Sequence, residues 1–249
     1  MSDNPRILIT RPLAEAKKFA AVLAENNFSP VLLPAIKIHP LDNNDAIRHA
    51  FATANKIIFV SRNAVKNVVE VAADLLKNYR GEILAVGATT AAELYALDIK
   101  EVIYPTEQFN SEALLELPEL QDVVDSEIVI FAGVGGRELL AHSLVDRGAS
   151  VTKIASYERH IPDYDVTTIK DALQNIDCIV STSGENLRNL IQLTPEADRA
   201  KLFATPLLVI SEAMVKIAEH NGFAADILVS ANATDQAILE RLQEWCQAK

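Results

Sequence analysis

Short runs of consecutive apolar residues alternate along the chain with longer segments in which apolar residues recur every three or four positions. The runs at 7–9, 57–60 and 83–86 contain no polar residue, which is typical of parallel strands covered on both faces. Between them, apolar residues such as Phe19 and Leu23 lie about one helical turn apart. Strands and helices thus alternate nearly throughout, and the pattern predicts an α/β fold with parallel sheets.

The element boundaries follow from residues that begin or end helices. Pro12 suits a first helical turn, Ser111 with Glu112 behind it predicts an N-cap, and Thr234 or Asp235 predicts another. The predicted strands are 6–10, 31–40, 57–60, 83–87, 102–105, 128–131, 151–159, 178–181, 207–210 and 227–230. The predicted helices are 12–26, 42–54, 61–77, 165–174 and 211–220, with others starting near 88, 111, 137 and 234.

The chain also contains a long-period internal repeat. Residues 7–36 align with 128–157 at an offset of 121, and residues 59–65 align with 181–187 at an offset of 122. Residues 111–115 align with 235–239 at an offset of 124. Because the offset drifts by only three residues over these elements, we predict two similar α/β domains.

A glycine-rich turn follows the apolar run 128–131. Gly133, Gly135 and Gly136 precede Arg137 and Glu138, so a strand leads through glycines into a helix N-terminus, where unpaired N–H groups favour an anion. The spacing approaches the dinucleotide-binding pattern, but Glu138 stands in place of its third glycine. An anion-binding loop, ordinary turn chemistry and a nicotinamide or flavin site all remain possible from this stretch alone.

Other predicted strands end in neutral hydrogen-bonding residues. These are Thr10, Ser61, Gly87 with Thr90, Thr182 with Ser183, and Ser211. Each could simply cap the next helix, but ligands of parallel sheets bind beyond the carboxyl ends of strands. Together with the glycine turn at 133–136, these five strand ends make six positions, which suggest a cleft whose neutral donors hold a polyanion.

Composition excludes several classes of protein. The 249 residues carry a net charge of −11 without a cluster of Lys or Arg, so we predict no binding to nucleic acid. Cys178, Cys246 and the five scattered His residues show no metal-ligand spacing. No apolar run reaches membrane-spanning length, and the N-terminus shows no signal peptide. These features predict a soluble, cytoplasmic protein without a membrane partner.

Taken together, a set of ordered motifs resembles the uroporphyrinogen-III synthase family. The motifs are ILITRP at 7–12, FVSRNAV at 59–65, AVGATTA at 85–91, SEALL at 111–115, GGRELL at 135–140, RGA at 147–149, SYER at 156–159 and TSGE at 182–185. The resemblance spans the whole chain. Each motif is weak alone, and it is their order and spacing that carry the resemblance.

The resemblance implies a discontinuous domain arrangement. One α/β domain would comprise residues 1–36 and 163–249, and the other would comprise residues 41–155. The connecting segments, 36–40 and 156–162, would form a two-stranded hinge that allows a range of cleft openings.

The resemblance also implies the reaction. Hydroxymethylbilane, a linear tetrapyrrole with eight carboxylates, loses its hydroxyl as water and closes to uroporphyrinogen III with ring D inverted. No cofactor or metal is expected, and nothing in the sequence argues for an oligomer, so we expect a monomer. Unassisted closure gives the other isomer, so positioning must decide the product. A hinged module that binds a small polyanion without catalysis is the alternative.

Site residues follow from the matching positions. Tyr157 matches the family's hinge tyrosine, the candidate proton donor to the departing hydroxyl, whereas its ordinary role would be that of an amphipathic aromatic residue. Ser61, Thr90 and Ser183 match carboxylate-binding positions. Assigned by cleft position are Thr10, Arg11, Arg62, Asn63, Gly133, Gly135, Gly136 and Arg137. Ala132 stands where close relatives have Arg, so one cationic contact is either missing or supplied elsewhere, by Arg62 or Arg137. Met214 stands where some members have Thr, which leaves the contacts of that turn open.

Overall fold

The computed structural model of the chain describes residues 4–136 and 138–248. The strands are β1 (Arg6–Ile9), β2 (Ser29–Leu32), β3 (Lys37–Pro40), β4 (Lys56–Phe59), β5 (Glu82–Ala85), β6 (Glu127–Gly133), β7 (Ser150–His160), β8 (Cys178–Val180), β9 (Leu207–Val209) and β10 (Ile227–Val229). The helices are α1 (Leu13–Glu25), α2 (Asn44–Thr53), α3 (Arg62–Asn78), α4 (Ala88–Tyr95), α5 (Ser111–Leu115), α6 (Leu139–Asp146), α7 (Val166–Ala172), α8 (Gly184–Leu193), α9 (Glu196–Phe203), α10 (Glu212–His220) and α11 (Asp235–Gln247). A 3-10 helix, Pro118–Leu120, precedes β6.

The chain divides into two compact units. Unit 1 runs to Lys37 and resumes at His160, and unit 2 is Ile38–Arg159. The boundaries therefore fall within β3 and β7. The chain leaves unit 1 along one of these strands and returns along the other.

Unit 1 is built on a sheet with the order β10-β9-β8-β1-β2. Its strands pair in parallel, and successive residues of β1 enter different cores. Ile7 and Ile9 pack with Phe19 of α1 and Trp245 of α11, whereas Leu8 packs with the core on the opposite face. This two-sided burial explains why the strand sequences contain no polar alternation.

Unit 2 is built on a sheet with the order β3-β7-β6-β4-β5. In β4, Ile57 and Phe59 contribute to one core, and Ile58 contributes to the other together with Leu140 of α6. The order β5-β4-β6-β7 repeats the order β9-β8-β1-β2 of unit 1, as the internal repeat predicts. The predicted α/β class with two similar parallel sheets is confirmed.

Several predicted boundaries are wrong. The long strand predicted over 31–40 is two strands, β2 and β3, separated near Pro34, which has no N–H to donate to a ladder. The strand predicted over 102–105 is a single bridge between Leu84 and Ile103. Ser111 is the first residue of α5 rather than its N-cap, because the side chain of Asn110 accepts the N–H of Ala113 at 2.7 Å. No separate helix was predicted at α9.

Thr234 does cap α11, as predicted. Its hydroxyl accepts the N–H of Ala237 at 3.3 Å. Among the described residues, no helix has both the length and the hydrophobicity needed to cross a bilayer.

Candidate functional site

A pocket of about 340 Å³ opens in unit 2 beyond the carboxyl ends of β4, β5 and β6. It lies where parallel sheets place their ligands, since strand ends and helix N-termini meet there. Its lining comprises Val60, Ser61, Val86, Phe109, Asn110, Ser111, Ile130, Ala132, Gly133, Gly135, Gly136, Leu140, Ala141, Lys153, Tyr157 and Arg159. Apolar walls with a few polar groups of this kind are typical of small-molecule sites.

Tyr157 is held under the pocket by a bulge between β6 and β7. Ala132 pairs with Ala155 but Gly133 pairs with Tyr157, so β7 contains one extra residue. The Val134 N–H then donates to the Tyr157 carbonyl at 2.8 Å. A Cβ atom at Gly133 would lie 2.7 Å from the phenol Cζ. The glycine therefore lets the ring pack directly against the backbone, where Tyr157 is only 1% exposed.

The Tyr157 hydroxyl is hydrogen-bonded to the start of helix α3. Its oxygen lies 3.0 Å from Ser61 Oγ, which also accepts the Ala64 N–H at 3.1 Å as the N-cap of α3. From β7, Arg159 Nη2 donates to the Tyr157 hydroxyl at 3.5 Å. The fold thus brings together Tyr157, the catalytic candidate, and Ser61, a serine predicted to bind substrate.

The glycine loop after β6 is anchored by a lysine. Gly135 and Gly136 have φ values of 73° and 89°, in the left-handed region that favours glycine. Lys153 Nζ donates to the Gly135 carbonyl at 3.3 Å and to Glu138 Oε1 at 2.5 Å. The hydrogen bond and charge of Lys153 lower the pKa of the Glu138 carboxyl. Arg137, predicted to bind substrate, lies outside the described residues.

The helix after this loop is poorly suited to a dinucleotide phosphate. Helix α6 begins at Leu139, and Glu138 occupies its N-cap position without a capping hydrogen bond from the side chain. In the dinucleotide-binding pattern the pyrophosphate lies directly at the helix N-terminus, and here the Glu138 residue takes the place of the third glycine that the pattern requires. This geometry disfavours the nicotinamide interpretation of the glycine motif.

The remaining predicted residues of unit 2, Arg62, Asn63 and Thr90, are not among the residues that line the pocket. Arg62 is exposed in the first turn of α3, and Asn63 beside it is half-buried. Thr90 is 2% exposed, and its N–H donates to the Gly87 carbonyl at 3.0 Å. Since Gly87 packs against Phe109, α4 supports the aromatic wall of the pocket from behind.

In unit 1, two of the three predicted residues are buried. The Thr10 hydroxyl is fully buried and donates to the Val180 carbonyl at 3.0 Å. Arg11 is 7% exposed, pairs with Asp235 through Nη1 and places its guanidinium carbon 4.7 Å from the centre of the Phe19 ring. Its Nε and Nη2 are buried and have no hydrogen-bond partner among the described residues.

The third, Ser183, is an accessible N-cap. Its hydroxyl accepts the Asn186 N–H at 3.1 Å at the start of α8. Ser183 and Ser61 therefore hold the same local position in the two units, at the first turn of the helix that follows β8 or β4. Met214, the second departure from the family pattern, is buried in α10.

Sequence reasoning missed Lys153, Arg159, Phe109 and Asn110 as pocket residues. The two basic residues lie on β7 an even number of positions from Tyr157, so the two-residue alternation of a strand is the signal that could have marked them. Phe109 lies in a loop, so no periodicity marks it. Across the described residues, no cluster of three or more His, Cys, Asp or Glu is placed to hold a metal ion.

Comparisons with known proteins identify the family. The family model described as uroporphyrinogen-III synthase HemD matches residues 17–240. The uroporphyrinogen-III synthase of Escherichia coli (strain K12) is 38% identical over 165 residues, covering 65% of this chain and 67% of that protein. The enzyme of the same name from Salmonella typhimurium is 39% identical over 162 residues, covering 64% and 65%.

Solved structures agree on the fold. A uroporphyrinogen-III synthetase from Helicobacter pylori 26695 superposes with a TM-score of 0.66 at 15% identity, covering 97% of this chain and 99% of that one. A mutant uroporphyrinogen III synthase from the extremely thermophilic bacterium Thermus thermophilus gives 0.63 at 18% identity, covering 98% of both chains. The resemblance of the sequence motifs is confirmed, and the chain belongs to the uroporphyrinogen-III synthase family.

Proposed function

We propose that this protein closes hydroxymethylbilane to uroporphyrinogen III, with loss of water and inversion of ring D. The observation that carries the proposal is the family match over residues 17–240, which includes both units. Membership makes the protein an enzyme of tetrapyrrole synthesis. The reaction exchanges no electrons with a second reactant, so the proposal invokes no cofactor.

The pocket of unit 2 is suited to one end of the substrate. At about 340 Å³ it is near the lower limit of ordinary ligand sites, which run from about 300 to 1,000 Å³, so it can take part of a tetrapyrrole but not all of it. Phe109 is 57% exposed and offers a ring face to a pyrrole. Lys153 and Arg159 give the same pocket positive charge for carboxylates.

Tyr157 is the proposed proton donor. In the first step its O–H passes a proton to the terminal hydroxyl, the carbon–oxygen bond breaks, and water leaves a cation on the ring A side. Ring D attacks through its substituted carbon to give a spiro intermediate, which fragments and recloses with ring D inverted. The proton released on reclosure restores the phenol. A phenol is a weak acid at neutral pH, so we expect positioning of the two chain ends to contribute much of the rate.

The other predicted residues divide by exposure. Arg62, Asn63, Gly135 and Gly136 present groups that a carboxylate can reach, and we propose that they bind substrate with Ser61 and Ser183. Gly133 is buried but lines the pocket, and we propose that it belongs to the same set. Arg137 belongs to this proposed set by its place in the loop. The side chains of Thr10, Arg11 and Thr90 are buried, and we propose that they hold the strand ends in shape.

The domain boundaries and the hinge stay predictions. We propose that residues 36–40 and 156–162 act as the hinge, since the unit boundaries lie at Lys37 and Arg159. We further propose that the enzyme is a cytoplasmic monomer.

The test is product identity. Purified protein is incubated with freshly generated hydroxymethylbilane, the product is oxidised, and the porphyrin isomers are separated. We expect isomer III in excess over a protein-free blank, which yields isomer I. Isomer I alone, at the rate of the blank, would refute the proposal and favour a module that binds the polyanion without catalysis.

A further inference from the structure

The pocket contains positive charge that the family pattern does not assign. Ala132 stands at the strand end where the resemblance expects Arg, yet Lys153 and Arg159 line the same pocket from β7. Lys153 is committed to the glycine loop through Glu138 and the Gly135 carbonyl. No carboxylate occurs among the described residues that line the pocket.

Arg159 contacts the catalytic candidate directly. Tyr157 and Arg159 are two residues apart on β7 beyond the bulge, so both side chains project from the same face of the strand. Arg159 Nη2 lies 3.5 Å from the Tyr157 hydroxyl, and the guanidinium carbon lies 5.7 Å from the centre of the phenol ring. Arg159 is itself exposed, so a ligand in the pocket meets it together with Tyr157.

Hydrogen-bond valence restricts what this contact can do. A guanidinium can only donate, so Arg159 must donate to the phenol oxygen. Ser61 Oγ accepts the Ala64 N–H and keeps both a second lone pair and its own O–H, so either oxygen of the Ser61–Tyr157 pair can donate. When Ser61 donates, the phenol oxygen accepts from two partners, and its own proton is available to a ligand in the pocket.

The same contact has an electrostatic consequence. When the phenol gives up its proton, negative charge remains on the oxygen, and a guanidinium within hydrogen-bond distance stabilises that charge without reorganising. The bond joins two residues of the same strand, β7.

We infer that Arg159 is a positioning residue for Tyr157, which orients the phenol proton toward the departing hydroxyl and stabilises the oxygen left behind. The inference rests on the proposed function. It assigns the charge missing at Ala132 to β7, and not to Arg62 or Arg137.

A double-mutant cycle tests the inference. Arg159→Gln and Tyr157→Phe are made singly and together, and kcat and KM are measured with hydroxymethylbilane. We expect Tyr157→Phe to lower kcat roughly tenfold, below the range of about 10²–10⁴ for general acids, because the phenol is a weak acid. Arg159→Gln should lower kcat about fivefold when Tyr157 is intact and less than about twofold in the Tyr157→Phe background. Arg159→Lys should recover part of the loss.

The matched control removes one positive charge elsewhere in unit 2. Arg48 is exposed on α2, and Arg48→Gln should leave both kinetic constants unchanged. Equal losses for Arg159→Gln in both backgrounds, or a rise in KM alone, would overturn the inference and make Arg159 a simple carboxylate contact. These results for Arg159→Gln can be interpreted only if the wild-type protein forms isomer III. If the wild-type protein gives isomer I alone, the proposed function is refuted, and the role of Arg159 in that reaction is refuted with it.

Discussion

The two units share a strand order but differ at equivalent strand ends. In unit 1, Arg11 follows β1 and is buried against Asp235 and Phe19. The internal repeat places Ala132 at the position of Arg11 and Ser111 at the position of Asp235, and both of these residues line the pocket. An ion pair closes one strand end, whereas small side chains leave the other open to a ligand.

A second difference concerns the neighbouring strand. The repeat aligns Tyr157 with Ile36, which is buried and apolar. Unit 2 therefore has a phenol, with a guanidinium two residues beyond it, where unit 1 has a hydrocarbon side chain. In a duplicated fold, equivalent strand ends can therefore have different roles. A few substitutions decide whether a strand end stabilises the unit or contributes to a binding site.

The largest expected effect is that of Gly133→Ala. The new Cβ would lie 2.7 Å from the phenol, so Tyr157 must move. Displacement of a reacting group by about 1 Å can cost roughly a hundredfold in rate, and overpacking costs about 1–3 kcal/mol in stability. Steady-state kinetics and thermal unfolding measure the two effects. Tyr157→Phe, which removes only the hydroxyl, is the control, and a smaller loss for Gly133→Ala than for Tyr157→Phe would contradict the argument.

Arg11→Met tests the closed strand end. Breaking a fully buried ion pair costs about 3–5 kcal/mol, and since Asp235 retains 39% of its side-chain exposure we expect about 2 kcal/mol in the free energy of unfolding. Denaturant titration measures the loss. Asp235→Leu in the same chain should restore part of it, because the unpaired carboxylate is removed.

A different result for Arg11→Met would support the substrate-binding role that the family resemblance implies for Arg11, rather than the structural role that its burial indicates. If Arg11→Met leaves the free energy of unfolding unchanged but raises KM, Arg11 is a substrate ligand and the contrast between the two strand ends disappears.

The equivalent N-caps give the next effect. Ser61→Ala and Ser183→Ala should each lower the free energy of unfolding by about 1 kcal/mol, because each removes the acceptor for one helix N–H. Only Ser61 also bonds to Tyr157, so Ser61→Ala should lower kcat several-fold whereas Ser183→Ala should act on KM. Equal effects of both variants on kcat would mean that the hydrogen bond between Ser61 and Tyr157 does not contribute to catalysis.

The sequence predicted the sheets well because buried parallel strands are uninterrupted apolar runs. The motif matches also pointed to Ser61 and Tyr157, which the fold brings into contact, whereas the substrate-binding role of Ser183 stays a prediction. It could not distinguish Arg11 from an exposed cation, because pairing with Asp235 depends on a contact between residues 224 positions apart.

The pocket's cations were missed for a related reason. Lys153 and Arg159 are spaced evenly from Tyr157 along β7, but alternation predicts only a shared face, and only the fold shows that these side chains line the pocket. The short helix α5 was shifted by one residue because Asn110 and Ser111 are both good caps, and only the fold decides between them.

The smallest expected effect distinguishes the loops that follow β1 and β6. Helix α1 begins at Leu13 directly after Pro12, whereas the longer loop after β6 depends on the bond between Lys153 and Glu138. That bond lowers the pKa of Glu138 from its ordinary value of 4.5. A lowered folded-state pKa means that the contribution is fully present above the ordinary value and is lost as pH falls through the lowered one. In Lys153→Met the carboxyl should titrate closer to 4.5, as followed by carbon NMR of the glutamate and aspartate side-chain carboxyl groups. Asp165, whose pKa is lowered by the backbone N–H of Thr168, is the internal reference, and its pKa should not change.

An unchanged Glu138 titration would mean that Lys153 does not anchor the loop. The glycines of the loop after β6 would then keep their position through the backbone hydrogen bond from Val134 to Tyr157 alone.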